Sequence, residues 1–262
     1  MANDTKKRYG FVIDISRCID CRACMVACSV ENTVPYNHTR IWVHDQGVQG
    51  EWPNMSRHFI PYNCMHCENP PCTEVCVSGA TYKNPDNGLV LVDQDACIGC
   101  GFCVEACPYD VRYIDEQRGV VDKCTGCIQR VEIGQMPACV ATCVGGSRLF
   151  GDLDDPESTV SVALKNTKSV FRLDAKRPDG TSTGPNIYYV NAPAEMLNQI
   201  TTTDKFGQME GKLPESSEYT ISEELWKKLL IPGLGLAAAA AFGVQAVFFS
   251  KQLIHGEKEF EE

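Results

Sequence analysis

The apolar positions of this chain fall in short runs, broken at close intervals by cysteine, glycine and proline. Phe11–Ile13 and Val90–Val92 are the clearest early runs, each closed by an Asp. Both read as strands of period-two character leading into a cysteine motif, with a short helix to follow. The stretches FVIDISRCIDCRACMVAC, from Phe11, and VLVDQDACIGCGFCVEAC, from Val90, align without a gap, so one unit is used twice. Between Val34 and Pro61 lies an insert with Tyr36, Trp42, Trp52, His38, His44 and His58. It reads as a surface hairpin, since aromatics and histidines outside a motif are most often packing residues. After Cys143 the text VGGSRLFGDLDDPES gives a Gly-rich turn, a short strand and an acidic loop. From Pro156 to Thr220 the chain is polar, with turns at Pro178-Asp179-Gly180 and Gly184-Pro185 and a candidate strand at Ile187–Val190. That region reads as an irregular extension wrapping a surface, not as a second globular domain.

One later run has a different period and length. From Leu229 to Ser250, LLIPGLGLAAAAAFGVQAVFFS, no residue is charged. About 21 helical residues span roughly 30 Å, enough to cross a hydrocarbon core. Trp226, Lys227 and Lys228 flank one end and Lys251 the other, as interfacial anchors do. Gly233, Ala237 and Ala241 recur every four residues, spacing that lets another membrane helix approach closely, and Gln245 continues the row. The expectation is one transmembrane helix. The alternative is a buried alanine-rich helix of a soluble protein. Gly233-x-Gly235 is no nucleotide loop, because no strand precedes it.

Composition changes this picture in one direction. The 262 residues include 16 Cys, 21 Gly and 14 Pro, so part of the core is expected to be cysteine and cofactor rather than aliphatic layers. A net charge of −10 argues against a nucleic-acid partner. The polar, basic start MANDTKKRYG is followed by no apolar h-region, so no signal peptide is expected. Disulfides could in principle use the cysteines, but their tight local spacing reads as metal ligation.

The cysteines form four groups of four: Cys18, Cys21, Cys24, Cys28; Cys64, Cys67, Cys72, Cys76; Cys97, Cys100, Cys103, Cys107; and Cys124, Cys127, Cys139, Cys143. None is left over. Cys97 to Pro108, CIGCGFCVEACP, matches the C-x2-C-x2-C-x3-C-P run that wraps a [4Fe–4S] cluster in bacterial ferredoxins. Three close thiolates on a loop loosened by Gly99 and Gly101 can face one compact core. Cys107 lies too far round the following turn and belongs to a neighbouring cluster. The first group repeats the spacing; the second and fourth have stretched middle gaps. Four thiolates for each of four cubanes follow. Zinc sites favour paired C-x2-C knuckles instead. No C-x-x-C precedes a His, which excludes c-type haem attachment on this chain. His66 is a candidate proton carrier, weak ligand or hydrogen-bond partner near a cluster, and Lys123 a candidate potential-tuning charge.

In this order and spacing, the groups resemble the four-cluster electron-transfer subunit of complex iron–sulfur molybdoenzymes. That family includes the iron–sulfur subunits of polysulfide, thiosulfate, tetrathionate and dimethyl sulfoxide reductases. CPYDVRYIDEQRGVVDKCTGC and GQMPACVATCVGGSRLFGDLDDP look closest to the polysulfide and tetrathionate branch, and the match covers roughly residues 8–155. The resemblance implies an α+β fold of two pseudo-symmetric bacterial-ferredoxin-like 2×[4Fe–4S] modules. It pairs Cys18, Cys21 and Cys24 with Cys143, and Cys124, Cys127 and Cys139 with Cys28. Likewise it pairs Cys97, Cys100 and Cys103 with Cys76, and Cys64, Cys67 and Cys72 with Cys107. In that order the four would form a wire from the catalytic partner to the membrane partner.

The expected organisation is therefore a four-cluster domain over 1–155, with outer motifs 18–28 and 124–143 and inner motifs 64–76 and 97–107. An irregular extension (156–222), a transmembrane helix with flanks (223–251) and an acidic tail (252–262) follow. The implied role is non-catalytic: an electron relay between a molybdopterin catalytic subunit and a polytopic quinone-binding membrane subunit. A multihaem cytochrome is a further candidate partner. A self-contained iron–sulfur oxidoreductase is the alternative, but no acid–base or nucleophilic set stands out for it. The lysines around the apolar run lean toward a cytoplasmic head. The family branch leans toward a periplasmic one, exported with a signal-bearing partner, and that is the expectation here.

Overall fold

The computed structural model describes residues 6–167, 169–177 and 179–192. The expected transmembrane helix, the acidic tail and the last part of the expected extension lie outside the described residues. Among those described, no helix is long and apolar enough to cross a membrane.

The fold is mixed and built of short elements. In chain order they are β1 (Tyr9–Asp14), α1 (Ala23–Glu31), β2 (Ile41–Gln49), β3 (Ser56–Asn63), α2 (Pro71–Glu74), β4 (Thr81–Lys83), β5 (Val90–Val92) and α3 (Phe102–Glu105). There follow β6 (Arg112–Asp115), β7 (Val120–Lys123), α4 (Ile128–Val131), α5 (Ala138–Ala141), β8 (Arg148–Asp152), α6 (Thr159–Lys165), β9 (Val170–Phe171) and β10 (Ile187–Val190). A four-stranded sheet runs in the order β8-β1-β10-β9, and β2–β3, β4–β5 and β6–β7 are separate antiparallel hairpins.

Two expectations change here. First, β1 is buried on both faces over Gly10–Ile13 rather than alternating. It sits between β8, antiparallel, and β10, parallel, and α6 covers one side with Val160 against Val12 and Val190. Strands covered on both faces read as continuous apolar runs. Second, residues 156–192 are no appendage. Strand β10, at Ile187–Val190, completes the sheet beside β1, with Ile187 and Tyr189 fully buried. The turn-rich polar text hides this because only the two residues of β9 and the four of β10 enter the sheet.

The insert at 34–61 forms the β2–β3 hairpin, bulged between Asp45 and Val48. Its Ile41, Val43, Ile60 and Tyr62 join Phe11, Ile13 and Ile15 in the main core. That core also contains Cys24, Cys28, Cys64, Cys67, Cys124 and Cys139. Cysteine thus fills interior volume that a larger protein would give to leucine and phenylalanine.

Candidate iron–sulfur centres

Each cysteine group begins with the same backbone device. The second residue after the first cysteine is Asp20, His66, Gly99 or Gly126, and all four have positive φ (51°, 44°, 67° and 67°). The left-handed step turns C-x2-C tightly enough for both thiols to face one side. It selects Gly, Asp, Asn and His, which tolerate that region best. At Gly99 a Cβ would also run into the Gly119 carbonyl. A second left-handed residue, Arg22, Gly101 or Cys127, then opens helix α1, α3 or α4. His66 is explained by this geometry together with its hydrogen bond: Nδ1 accepts from the Val90 N–H at 3.1 Å. Burial, with Lys123 and Arg112 adding to it, holds the imidazole well below its ordinary pKa.

The structure brings the sequence-predicted cysteines together across groups. Cys18, Cys21, Cys24 and Cys143 line one cavity with Val43, Pro61 and Arg148. Cys64, Cys67, Cys72 and Cys107 line a second with Met65, Tyr109 and Arg112. Cys28, Cys124, Cys127 and Cys139 line a third with Phe11, Ile41 and Arg40. Cys97 and Cys103 pack with Val90, Val121 and Cys72, and Cys76 Sγ accepts from the Thr81 N–H at 3.2 Å.

These sites fit [4Fe–4S] clusters by their donor set. Each cavity has four free thiols on its wall; the remaining lining of the second is mostly apolar, and that of the first mixes Ile19, Val43 and Pro61 with arginines. Among the described residues no three His, Cys, Asp or Glu close on a single ion. The thiols stand around a volume rather than a point. Their sulfurs already meet N–H donors that stabilise added negative charge. Val121 N–H reaches Cys97 at 3.4 Å, Gly126 N–H reaches Cys124 at 3.4 Å and Asn63 Nδ2 reaches Cys124 at 3.6 Å. Arg112 Nη2 donates to Cys72 at 2.9 Å. Burial pushes the Cys124 thiol up to about 12 and Cys72 to about 11, and also raises Cys28 and Cys67. Iron held by these thiolates would take the place of the protons that burial favours on the free thiols.

The groups also stand in a definite spatial sequence. Cys24 neighbours Cys139, Cys124 neighbours Cys64, and Cys72 packs with Cys103. The row therefore runs from the Cys18 group through the Cys124 and Cys64 groups to the Cys97 group. This reverses the expected order of the two inner groups. The cause is local: Asn63, at the end of β3 and next to Cys64, bonds Cys124 directly. The two exposed thiols, Cys21 and Cys100, belong to the terminal groups.

Several residues of the site escape a cysteine-centred reading. Arg40 makes a bidentate pair with Asp122 at 2.9 and 2.7 Å beside the third cavity. Arg148, Arg112 and Asn63 are buried among the thiols. A sequence signal for two of them exists, since Arg112 and Arg148 each stand five residues after the last cysteine of a group. Lys123, singled out from sequence, is buried with Nζ donating to the Val90 and Cys124 carbonyls.

Short hairpins and helices holding rows of thiols around thiol-lined cavities define a multi-cluster ferredoxin-type electron-transfer protein. Known proteins narrow that class. Residues 55–153 match the family described as a 4Fe-4S dicluster domain. The chain is 41% identical over 186 residues to a tetrathionate reductase subunit of Salmonella typhimurium, covering 71% of this chain and 73% of that protein. It is 36% identical over 242 residues to a sulfite dehydrogenase subunit of Allochromatium vinosum, covering 84% and 99%. It is 44% identical over 183 residues to the thiosulfate reductase electron transfer subunit PhsB of Salmonella typhi, covering 69% and 93%. The chain belongs to the family of iron–sulfur electron-transfer subunits of complex iron–sulfur molybdoenzymes. It carries multiple [4Fe–4S] clusters and serves a reductase-type complex without being its catalytic subunit.

Proposed function

We propose that the chain holds four [4Fe–4S] clusters, one per cross-paired group, in two pseudo-symmetric modules. Cys18, Cys21, Cys24 and Cys143 with Cys124, Cys127, Cys139 and Cys28 make the outer module. Cys64, Cys67, Cys72 and Cys107 with Cys97, Cys100, Cys103 and Cys76 make the inner one. The single observation that carries this reading is the row of thiol groups, exposed at both ends and buried in the middle. The bound clusters supply one-electron storage and transfer. The protein's residues exclude water, hold the thiols in place and set the charge around them.

One end of the row faces a molybdopterin-family catalytic subunit and the other a polytopic quinone-binding membrane subunit. Exposed apolar side chains support two docking ends. Ile19 and Val144 neighbour ligands of the Cys18 group, and Ile98, Phe102 and Val77 neighbour ligands of the Cys97 group. A multihaem cytochrome is an alternative electron partner at either end. The apolar run within 223–251 anchors the chain beside the membrane subunit, and 252–262 is its acidic tail. The cluster-bearing head is exported with a signal-bearing catalytic subunit.

The experiment is to purify the full chain alone with its clusters, reduce it with dithionite and follow its visible spectrum. It is expected to be reoxidised by artificial acceptors without turning over polysulfide, thiosulfate, tetrathionate or a menaquinone analogue. Sustained turnover of any of these by the isolated chain would replace the relay with a self-contained oxidoreductase.

A further inference from the structure

Among the described residues, two buried guanidinium groups have no carboxylate partner. Arg148, on β8, is 2% exposed and Arg112, on β6, is 4% exposed. Among the described residues neither joins an ion pair, in contrast to Arg40 with Asp122. Arg148 Nη2 donates to Asn63 Oδ1, while its Nε and Nη1 have no protein acceptor. Arg112 donates to Cys72 Sγ and, at 3.3 Å, to Thr81 Oγ1, and its Nε is also without an acceptor. A buried, unpaired guanidinium is strongly unfavourable. Both therefore require anionic neighbours, and both are surrounded by thiols.

The thiols in question come from two groups in each case. The charge of Arg148 faces Cys24 of the first cavity and Cys139 and Cys124 of the third. It also lines the first cavity, and Asn63 links it to Cys124 Sγ at 3.6 Å. The charge of Arg112 faces Cys72, Cys64 and Cys107 of the second cavity and Cys103 of the Cys97 group. Thr81, which accepts from Arg112, gives its own N–H to Cys76. The two arginines also stand at equivalent places, five residues after Cys107 and five after Cys143. Each thus lies between the two thiol groups of one module.

We propose that Arg148 and Arg112 are equivalent tuning cations, one per module, each the shared counter-charge of two neighbouring clusters. Adding an electron makes a thiolate-bound cluster more negative. A fixed cation beside it favours the reduced form and raises its reduction potential. Because one cation serves two clusters, it raises both together and limits the potential step between them. Lys123 occupies the junction between modules, with Cys64, Cys124 and Cys72 around it. The proposal rests on the arginines, whose charge is fixed.

This inference depends on the cluster assignment above, and iron content separates the two. A wild-type chain with far less iron than four cubanes would defeat the assignment before any variant is made. Given full iron, Arg148→Gln, Arg148→Lys, Arg112→Gln and Arg112→Lys are compared by EPR-monitored redox titration of the full chain. Arg148→Gln is expected to shift two clusters at least tenfold toward the oxidised form, about 59 mV for a one-electron couple. The other two should stay in place. Arg112→Gln is expected to move the complementary pair, and each Lys variant to restore most of the shift. Should a Gln variant fail to hold iron, full iron in the matching Lys variant supports the same need for charge. Unchanged potentials in iron-replete Gln variants would overturn the proposal. So would Gln and Lys variants that are indistinguishable in potential or equally depleted of iron.

Discussion

Arg40 and Asp122 show what the interior does with a charge that is not assigned to a cluster. Their side chains are 6% and 2% exposed and joined by two hydrogen bonds, with Tyr113 also donating to Asp122. Breaking one partner of such a pair costs about 3–5 kcal/mol, because it leaves an uncompensated buried charge. Tyr113, Gln94 and the Arg118 guanidinium, 3.7 Å away, remain near Asp122, so the lower end applies. Arg40→Met is expected to lose about 3 kcal/mol, and adding Asp122→Asn should recover part of it. The denaturant midpoint for bleaching of the cluster absorbance measures this. At this scale the ligands were the legible part: sixteen cysteines in four spaced groups announce themselves. The cations were not, because an arginine in VRYID or SRLFGD looks like an ordinary surface residue. Only the thiols packed round it in three dimensions give it a role.

Among the elements, the C-x2-C loops owe their shape to a left-handed second residue, and the flanking strands owe theirs to burial. Strand β1 carries the arrangement, since it delivers Cys18 at one end and pairs with both β8 and β10. Its parallel partner comes from about 175 residues away in sequence, so no local pattern could reveal the pairing. The bounds of β10 were readable from IYYV, but its central place in the sheet was not. Nor could the sequence show that β1 would be covered twice. These contacts make a prediction about domain limits. A chain ended after Ala192 is expected to keep its iron. One ended after Asp174 removes β10 and with it the side of β1 that Ile187 and Tyr189 cover, and is expected to lose iron or precipitate. Iron per soluble chain distinguishes the two. Retention of full iron by the shorter chain would place the sheet outside the fold's requirements.

For the whole molecule, the thiol-lined cavities bring distant sequence together: Cys18 with Cys143, Cys28 with Cys124, Cys64 with Cys107. Under the proposed assignment each cluster would close a long loop and add stability to the modest aliphatic core of the described head. Three thiol-lined cavities group cysteines as the family resemblance implies, whereas the order of the two inner groups needed the contact between Asn63 and Cys124. The most direct test of the account is to count iron and sulfide in the full chain, with EPR of the reduced form, for wild type and Cys107→Ser. About sixteen irons in four cubanes are expected for wild type, following four thiolates per cluster. In Cys107→Ser the signal lost should be the one lost in Cys67→Ser, while the signal lost in Cys100→Ser is retained. Loss of the Cys100-dependent signal instead, or a wild-type chain holding zinc in place of iron and sulfide, would contradict it.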